Sequence, residues 1–283
     1  MRQTVVFPLA LVALLAFAAN SILARAALTA TAIDPVSFTA IRIVSGALTL
    51  WLIVRLRPGL ADGRGNWASA LALFGYAIAF SVAYLALTAA TGALLLFGAV
   101  QVTMVSWSLV TGTRLTPRQW AGFALALAGL VWLLLPGLAA PPALPAGLMI
   151  AAGAAWGIYT LRAKGAGDPI RVTTSNFILA SIPAVVVALV MPLAAVTDAS
   201  IDPAGTALAV ASGALASGLG YVVWYAALKH IQTSTAAVAQ LSVPVITAIA
   251  GVALLAEPLN LRLVLAGAAV LGGIVLVVLK PGA

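Results

Sequence analysis

Almost the whole chain is written in apolar runs of about twenty residues, and a run of that length leaves the backbone few options. A helix crossing roughly 30 Å of hydrocarbon needs about 20 apolar residues, and it satisfies its own backbone hydrogen bonds on the way. Runs near 4–25, 36–54, 68–87, 91–111, 119–135, 144–163, 172–194, 205–227, 234–255 and 261–279 fit that length. They predict an all-α polytopic membrane protein with ten transmembrane helices. The connections are short, the longest lying near 55–67, so no soluble domain fits between the spans. Of 283 residues, 64% are apolar and 7% charged, where a soluble domain has roughly 25% charged. Arg2, the run Thr4–Ala24 and the small residues Ala24 to Ala26 loosely resemble a signal peptide. That run is long for a signal core, however, and the repeat described next needs it as a helix.

The runs come round twice. Asp34-Pro35 stand eight and seven positions ahead of Arg42, and Asp168-Pro169 stand eight and seven ahead of Asn176. The stretch Tyr84 to Leu87 (YLAL) recurs as Tyr225 to Leu228 (YAAL). These landmarks divide the chain into a five-helix repeat at 1–137 and a second at 138–283. Five is odd, so the second repeat enters the membrane from the other side. Inverted repeats of this kind build secondary transporters, with a solute site near the midplane.

Charge supplies the orientation. Eleven of the 14 Lys and Arg residues, including Arg2, Arg55, Lys164, Lys229 and Lys280, fall at one set of run ends. The opposite ends hold only Arg25 and Arg262, together with Asp34, Asp198, Asp202 and Glu257. The positive-inside rule then puts both termini in the cytoplasm of a bacterial cell, with the chain in its inner membrane. The formal charge of +8 is thereby read as topological, and no nucleic-acid partner is expected. With no cysteine and a single histidine, His230, neither a metal site nor a cofactor is expected. No nucleophile–base set, phosphate-cradling glycine loop or paired acid points to an enzyme.

Several segments resemble the EamA-type transporters of the drug/metabolite transporter (DMT) superfamily. They are Tyr225 to Pro244 (YAALKHIQTSTAAVAQLSVP), Glu257-Pro258-Leu259 with the last run around Gly267, Arg114 to Gly122 (RLTPRQWAG) and Phe38 to Arg42 (FTAIR). The resemblance spans the whole chain as two five-helix repeats and implies an exporter of small organic metabolites or drugs. In overall appearance it is most similar to the YddG-type bacterial amino-acid exporters. Two departures stand out. Thr113 occupies the end of the fourth run, where the family often has a glutamate. The first run has Asn20 and no acid, so the proton-for-cation exchange of small four-helix relatives is not carried over.

The acids direct the reading of the substrate. All six fall in connections or at run ends, with Arg262 the candidate partner of Glu257. A bare organic cation would meet no counter-charge at the midplane, so a neutral or zwitterionic solute fits better. Arg42, about six residues and roughly 9 Å into its run, has two readings. It binds a solute carboxylate, or it reaches outward to Asp34, Asp198 or Glu257. In the ninth run, Thr233, Ala236, Ala237, Gln240 and Pro244 recur at helical spacing. Pro244 there either frees the Gln240 carbonyl to accept a solute ammonium or makes a plain packing kink. Gln101 is a candidate polar partner from the other repeat. Tyr76, Phe80, Tyr84 and Tyr221 are candidate aromatic liners, as are Trp156, Tyr159 and Asn20 with Phe17; Trp51, Trp67 and Trp120 suit interface anchors.

These readings converge on an alternating-access exporter of neutral or zwitterionic metabolites, amino acids first among them. It operates by facilitated diffusion, or by coupling through some unusual group, rather than by a carboxylate-borne proton cycle. The alternatives are a multidrug or nucleobase exporter on the same fold and, from another class, a lipid scramblase. The sequence leaves a monomer or a homodimer open.

Overall fold

The computed structural model describes residues 3–57, 59–112, 114–137, 140–163, 166–193, 199–231 and 233–279, with the side chains of 3–5, 233–235 and 237 also left aside. Thr113, Lys164, Asp198 and Lys280 therefore lie outside the described residues, as do the side chains of Thr233 and Ala237. The described residues are helical almost throughout, and each apolar run folds as helix. The helices are α1 (Gln3–Ala30), α2 (Pro35–Leu56), α3 (Trp67–Ala83), α4 (Ala89–Val110), α5 (Pro117–Leu134), α6 (Ala143–Ala163), α7 (Pro169–Leu193), α8 (Pro203–Leu228), α9 (Thr233–Gln240), α10 (Ser242–Leu255) and α11 (Leu261–Val278). Among the described residues, eight helical stretches are long and apolar enough to cross a membrane. The apolar α3 is shorter, at 17 residues, and α5 opens on Pro117, Arg118 and Gln119.

The two Asp-Pro landmarks make the same local structure. Asp34 Oδ1 accepts the N–H groups of Val36 and Ser37 at 2.8 and 2.9 Å, and Pro35 opens α2. Asp168 Oδ1 accepts those of Ile170 and Arg171 at 2.9 and 3.1 Å, and Pro169 opens α7. Each aspartate satisfies two N–H groups that a helix start leaves without a partner, while proline occupies a position where no N–H is needed. The caps also reach across the chain in matching ways. Asp34 N–H donates to the Ser200 carbonyl ahead of α8 at 2.9 Å, and Asp168 N–H donates to the Asp62 carbonyl ahead of α3 at 3.1 Å. Packing is reciprocal too. Helix α2 lies on α7 and α5 on α11, while α1 packs on α8 as α6 packs on α3.

Small residues let these helices touch. A Cβ on Gly213 would collide with the Arg42 carbonyl and the Ser45 hydroxyl, so α8 meets α2 backbone to backbone. One feature of α8 has no sequence signal. Its middle, Ala211–Leu219, is wound as a π-helix, a local overwidening that is frequent at functional sites.

Candidate functional site

A cavity of about 230 Å³ lies between α1, α3, α4, α6, α8 and the end of α9. Its walls run from mid-helix residues such as Asn20 and Tyr76 to Ala163 and Leu228, at the C-terminal ends of α6 and α8. It therefore extends toward one end of the bundle. Trp156 is the centre of its aromatic wall. The Trp156 ring stacks on Tyr221 at 5.6 Å and on Tyr159 at 5.1 Å, and meets Tyr76 at 4.9 Å. Phe17 closes against Tyr221 at 5.6 Å. Flat faces of this kind hold an apolar or aromatic group at little entropic cost.

The polar groups are amides and hydroxyls. Asn20, Gln101 and Gln240 line the cavity, and among the described residues no ionised side chain does. Asn20 is held from behind: Ser212 and Ser217 both donate to its Oδ1, at 2.8 and 3.3 Å. Two residues five apart share a face only when the turn widens to the i→i+5 spacing, and the π-wound segment supplies that spacing. With Oδ1 occupied, Asn20 presents its NH2 as a donor to a solute. The Tyr159 hydroxyl is buried at the back of the wall, with Asn176 and Thr173 as polar neighbours but no well-formed hydrogen bond among the described residues.

Of the eleven residues expected at the site, eight line this cavity: Asn20, Tyr76, Phe80, Gln101, Trp156, Tyr159, Tyr221 and Gln240. Three do not. Tyr84 is fully buried beside Phe80, its hydroxyl 3.4 Å from the Ala89 carbonyl, and it packs the bundle rather than the cavity. Pro244 faces a separate apolar groove between α4, α10 and α11. The helix through 238–255 is interrupted at Leu241, three residues ahead of Pro244, which has no N–H to give the Gln240 carbonyl. Arg42 stands one layer behind the wall. It is 3% exposed, its Nη2 donates to Tyr76 Oη at 2.9 Å, and its guanidinium lies 4.7 Å from the Phe80 ring centroid. Ser21, Phe97, Met104 and Thr160 are among the further liners; each sits a helical turn or less from an expected liner, the one signal that could have found them.

The opposite end is closed by charge. Arg25 Nε donates to Glu257 Oε1 at 2.9 Å, and Glu257 Oε2 accepts the Ala89 N–H at 2.7 Å. Arg25 also donates from Nη1 to the Tyr84 and Leu85 carbonyls, at 2.8 and 3.1 Å. Four helix ends, those of α1, α3, α4 and α10, are thus tied together. Ala256 takes a left-handed conformation, with φ of 52°, to turn Glu257 inward, a posture that costs an L-residue about 1 kcal/mol. The expected pairing of Glu257 with Arg262 is not made. Arg262 instead donates to the Trp132 and Leu135 carbonyls at the end of α5, where a cation suits the helix terminus.

A bundle of membrane-length helices with a largely aromatic and apolar cavity, dotted with amides and hydroxyls, that extends toward one end and is latched at the other defines a multi-pass transport protein. The EamA-like transporter family model matches residues 144–279. An uncharacterized transporter of Archaeoglobus fulgidus is 31% identical over 229 residues, covering 77% of this chain and 78% of its own. The chain belongs to the EamA-like transporter family, and it is a transporter rather than an enzyme. An uncharacterized protein of Pseudomonas aeruginosa is 53% identical over 270 residues, covering 95% of this chain and 93% of its own length. A solved crystal structure, 21% identical, superposes with a TM-score of 0.64 over 95% of this chain and 97% of its own, which is a likeness of fold alone.

Proposed function

We propose that this protein exports neutral or zwitterionic amino acids across the bacterial inner membrane by alternating access, in the manner of the YddG-type exporters. The carrying observation is the wall chemistry: stacked aromatics for a side chain, amide and hydroxyl groups for the polar end, and no ionised liner among the described residues. Ten helices form two inverted five-helix repeats, 1–137 and 138–283. The matching caps and reciprocal packing support that arrangement. With both termini cytoplasmic, the cavity faces the cytoplasm and the Arg25–Glu257 pair closes the outer side. Among the described residues no carboxylate lines the cavity, so transport runs as facilitated diffusion. The test is uptake of labelled tryptophan, threonine and methionine into proteoliposomes, with and without a pH gradient. Saturable uptake indifferent to the gradient is the expected result; no uptake of any of the three sinks the amino-acid reading. The flat stack of Trp156 on Tyr221, at 18°, also suits a nucleobase. Nucleobase flux without amino-acid flux would select that alternative.

A further inference from the structure

Among the described residues, Arg42 is a buried charge with no counter-charge. Among the described residues the only ion pair is Arg25–Glu257, and Asp34 is engaged in capping α2 and in bonding the Ser200 N–H. One guanidinium nitrogen, Nη2, bonds the Tyr76 hydroxyl, while Nη1 is buried without a partner. The charge is flanked by the Phe80 ring at 4.7 Å and the Tyr76 ring at 5.4 Å. Both rings also line the cavity. A guanidinium at bilayer depth is costly, and it is normally paired or turned toward a wet cavity. Here only one layer of aromatic rings stands between it and the solute.

We infer that Arg42 sets the charge specificity of the cavity: its unneutralised guanidinium, acting through the Tyr76–Phe80 wall, favours solutes bearing a carboxylate and excludes organic cations. The inference rests on the proposed amino-acid reading and sharpens it, because it names the carboxylate as the required group. Asn20 reinforces the same polarity, since its Oδ1 is occupied by Ser212 and Ser217 and only its NH2 is offered inward. A unit charge acting across about 8 Å at an effective dielectric constant of about 20 changes affinity by roughly thirtyfold. The rings hold the charge near the cavity without letting it bind a carboxylate so tightly that release is slow. Arg42 is thus a specificity-determining residue that acts at a distance, and Tyr76 is the residue that positions it.

The experiment compares three ligands with one ring and different charge: phenylalanine, phenethylamine and 3-phenylpropionate. Each is titrated against purified protein at pH 7, with the shift in melting temperature as the readout. Wild type is expected to bind the acid at least tenfold more tightly than the amine, with the amino acid between them or equal to the acid. Arg42→Lys is expected to keep that order. Arg42→Gln is expected to bring acid and amine within about threefold of one another. An unchanged order in Arg42→Gln overturns the inference and leaves the amino-acid reading standing. Should that variant not fold, wild type alone decides, because an amine bound as tightly as the acid refutes the inference. Binding of none of the three to wild type overturns the amino-acid reading and this inference together.

Discussion

Replacing Glu257 by glutamine should open the latched end. In the latched arrangement the carboxylate takes one bond from Arg25 Nε at 2.9 Å and another from the Ala89 N–H at 2.7 Å. The two side chains are 18% and 11% exposed, so water screens the pair only weakly. Glutamine keeps one acceptor oxygen and loses the charge. The substitution therefore removes one charge-assisted bond, worth about 1.5–3 kcal/mol, and only from the state in which the latch is made. Taking about 2 kcal/mol, the ratio of latched to unlatched molecules falls roughly thirtyfold. The chain has no cysteine, so Ser21→Cys, on the cavity wall, gives a single reporter thiol. A membrane-impermeant maleimide applied from the side of the α1 C-terminus should then label that thiol roughly thirtyfold faster in the Glu257→Gln background. An unchanged rate from that side would refute the latch, however transport responded.

The remaining predictions probe other parts of the site. Tyr159→Phe removes a buried hydroxyl of the cavity wall that makes no well-formed bond to its polar neighbours Asn176 and Thr173, so solute affinity should fall about five- to tenfold while the melting temperature is nearly held; equal losses in both would mean the hydroxyl serves the fold rather than the solute. Gly213→Ala places a methyl group against the Arg42 carbonyl and Ser45 and should destabilise the protein by about 1–3 kcal/mol in detergent unfolding, with α2 and α8 forced apart. The Gly205 N–H bonded to Asp202 holds that carboxyl below the usual carboxylate range. A lowered folded-state pKa means the cap's contribution is full above the ordinary carboxylate pKa of about 4 and is lost as pH falls through the folded value. Melting temperature followed downward from pH 6 should therefore drop less in Asp202→Asn than in the parent protein.

Much of the scaffold is legible because its signals are local. Aspartate followed by proline ahead of an apolar run is a complete description of a helix start, and both copies fold that way. Aromatics and amides in the middle of apolar helices have few places to go, and eight of the eleven expected residues line the cavity. The failures involve partners far apart in sequence or backbone geometry with no side-chain signature. Glu257 has two basic residues at its end of the bundle, and spacing favours Arg262; the pair it makes is 232 residues away. Apolar continuity places Pro244 inside one long helix, and the 238–255 stretch is indeed interrupted at Leu241, but the proline faces the apolar groove with α4 and α11 rather than the cavity. Depth in the membrane offers Arg42 either a solute or an acid, and it lies between two rings. Nothing in the letters of 211–219 announces a widened turn, and only the shared bond to Asn20 explains why Ser212 and Ser217 stand five residues apart.

The crossed caps also set a timetable for the chain during its synthesis. Asp34 shares bonds with Ser200, 166 residues later, whereas Asp168 finds its partner, Asp62, already made. At about 5–20 residues per second, the start of α2 waits on the order of ten to thirty seconds in the membrane before its anchor leaves the ribosome. The start of α7 waits for nothing. The first half of this bundle therefore lacks one of its anchors until the second half arrives, whereas the second half meets its Asp62 anchor as it emerges.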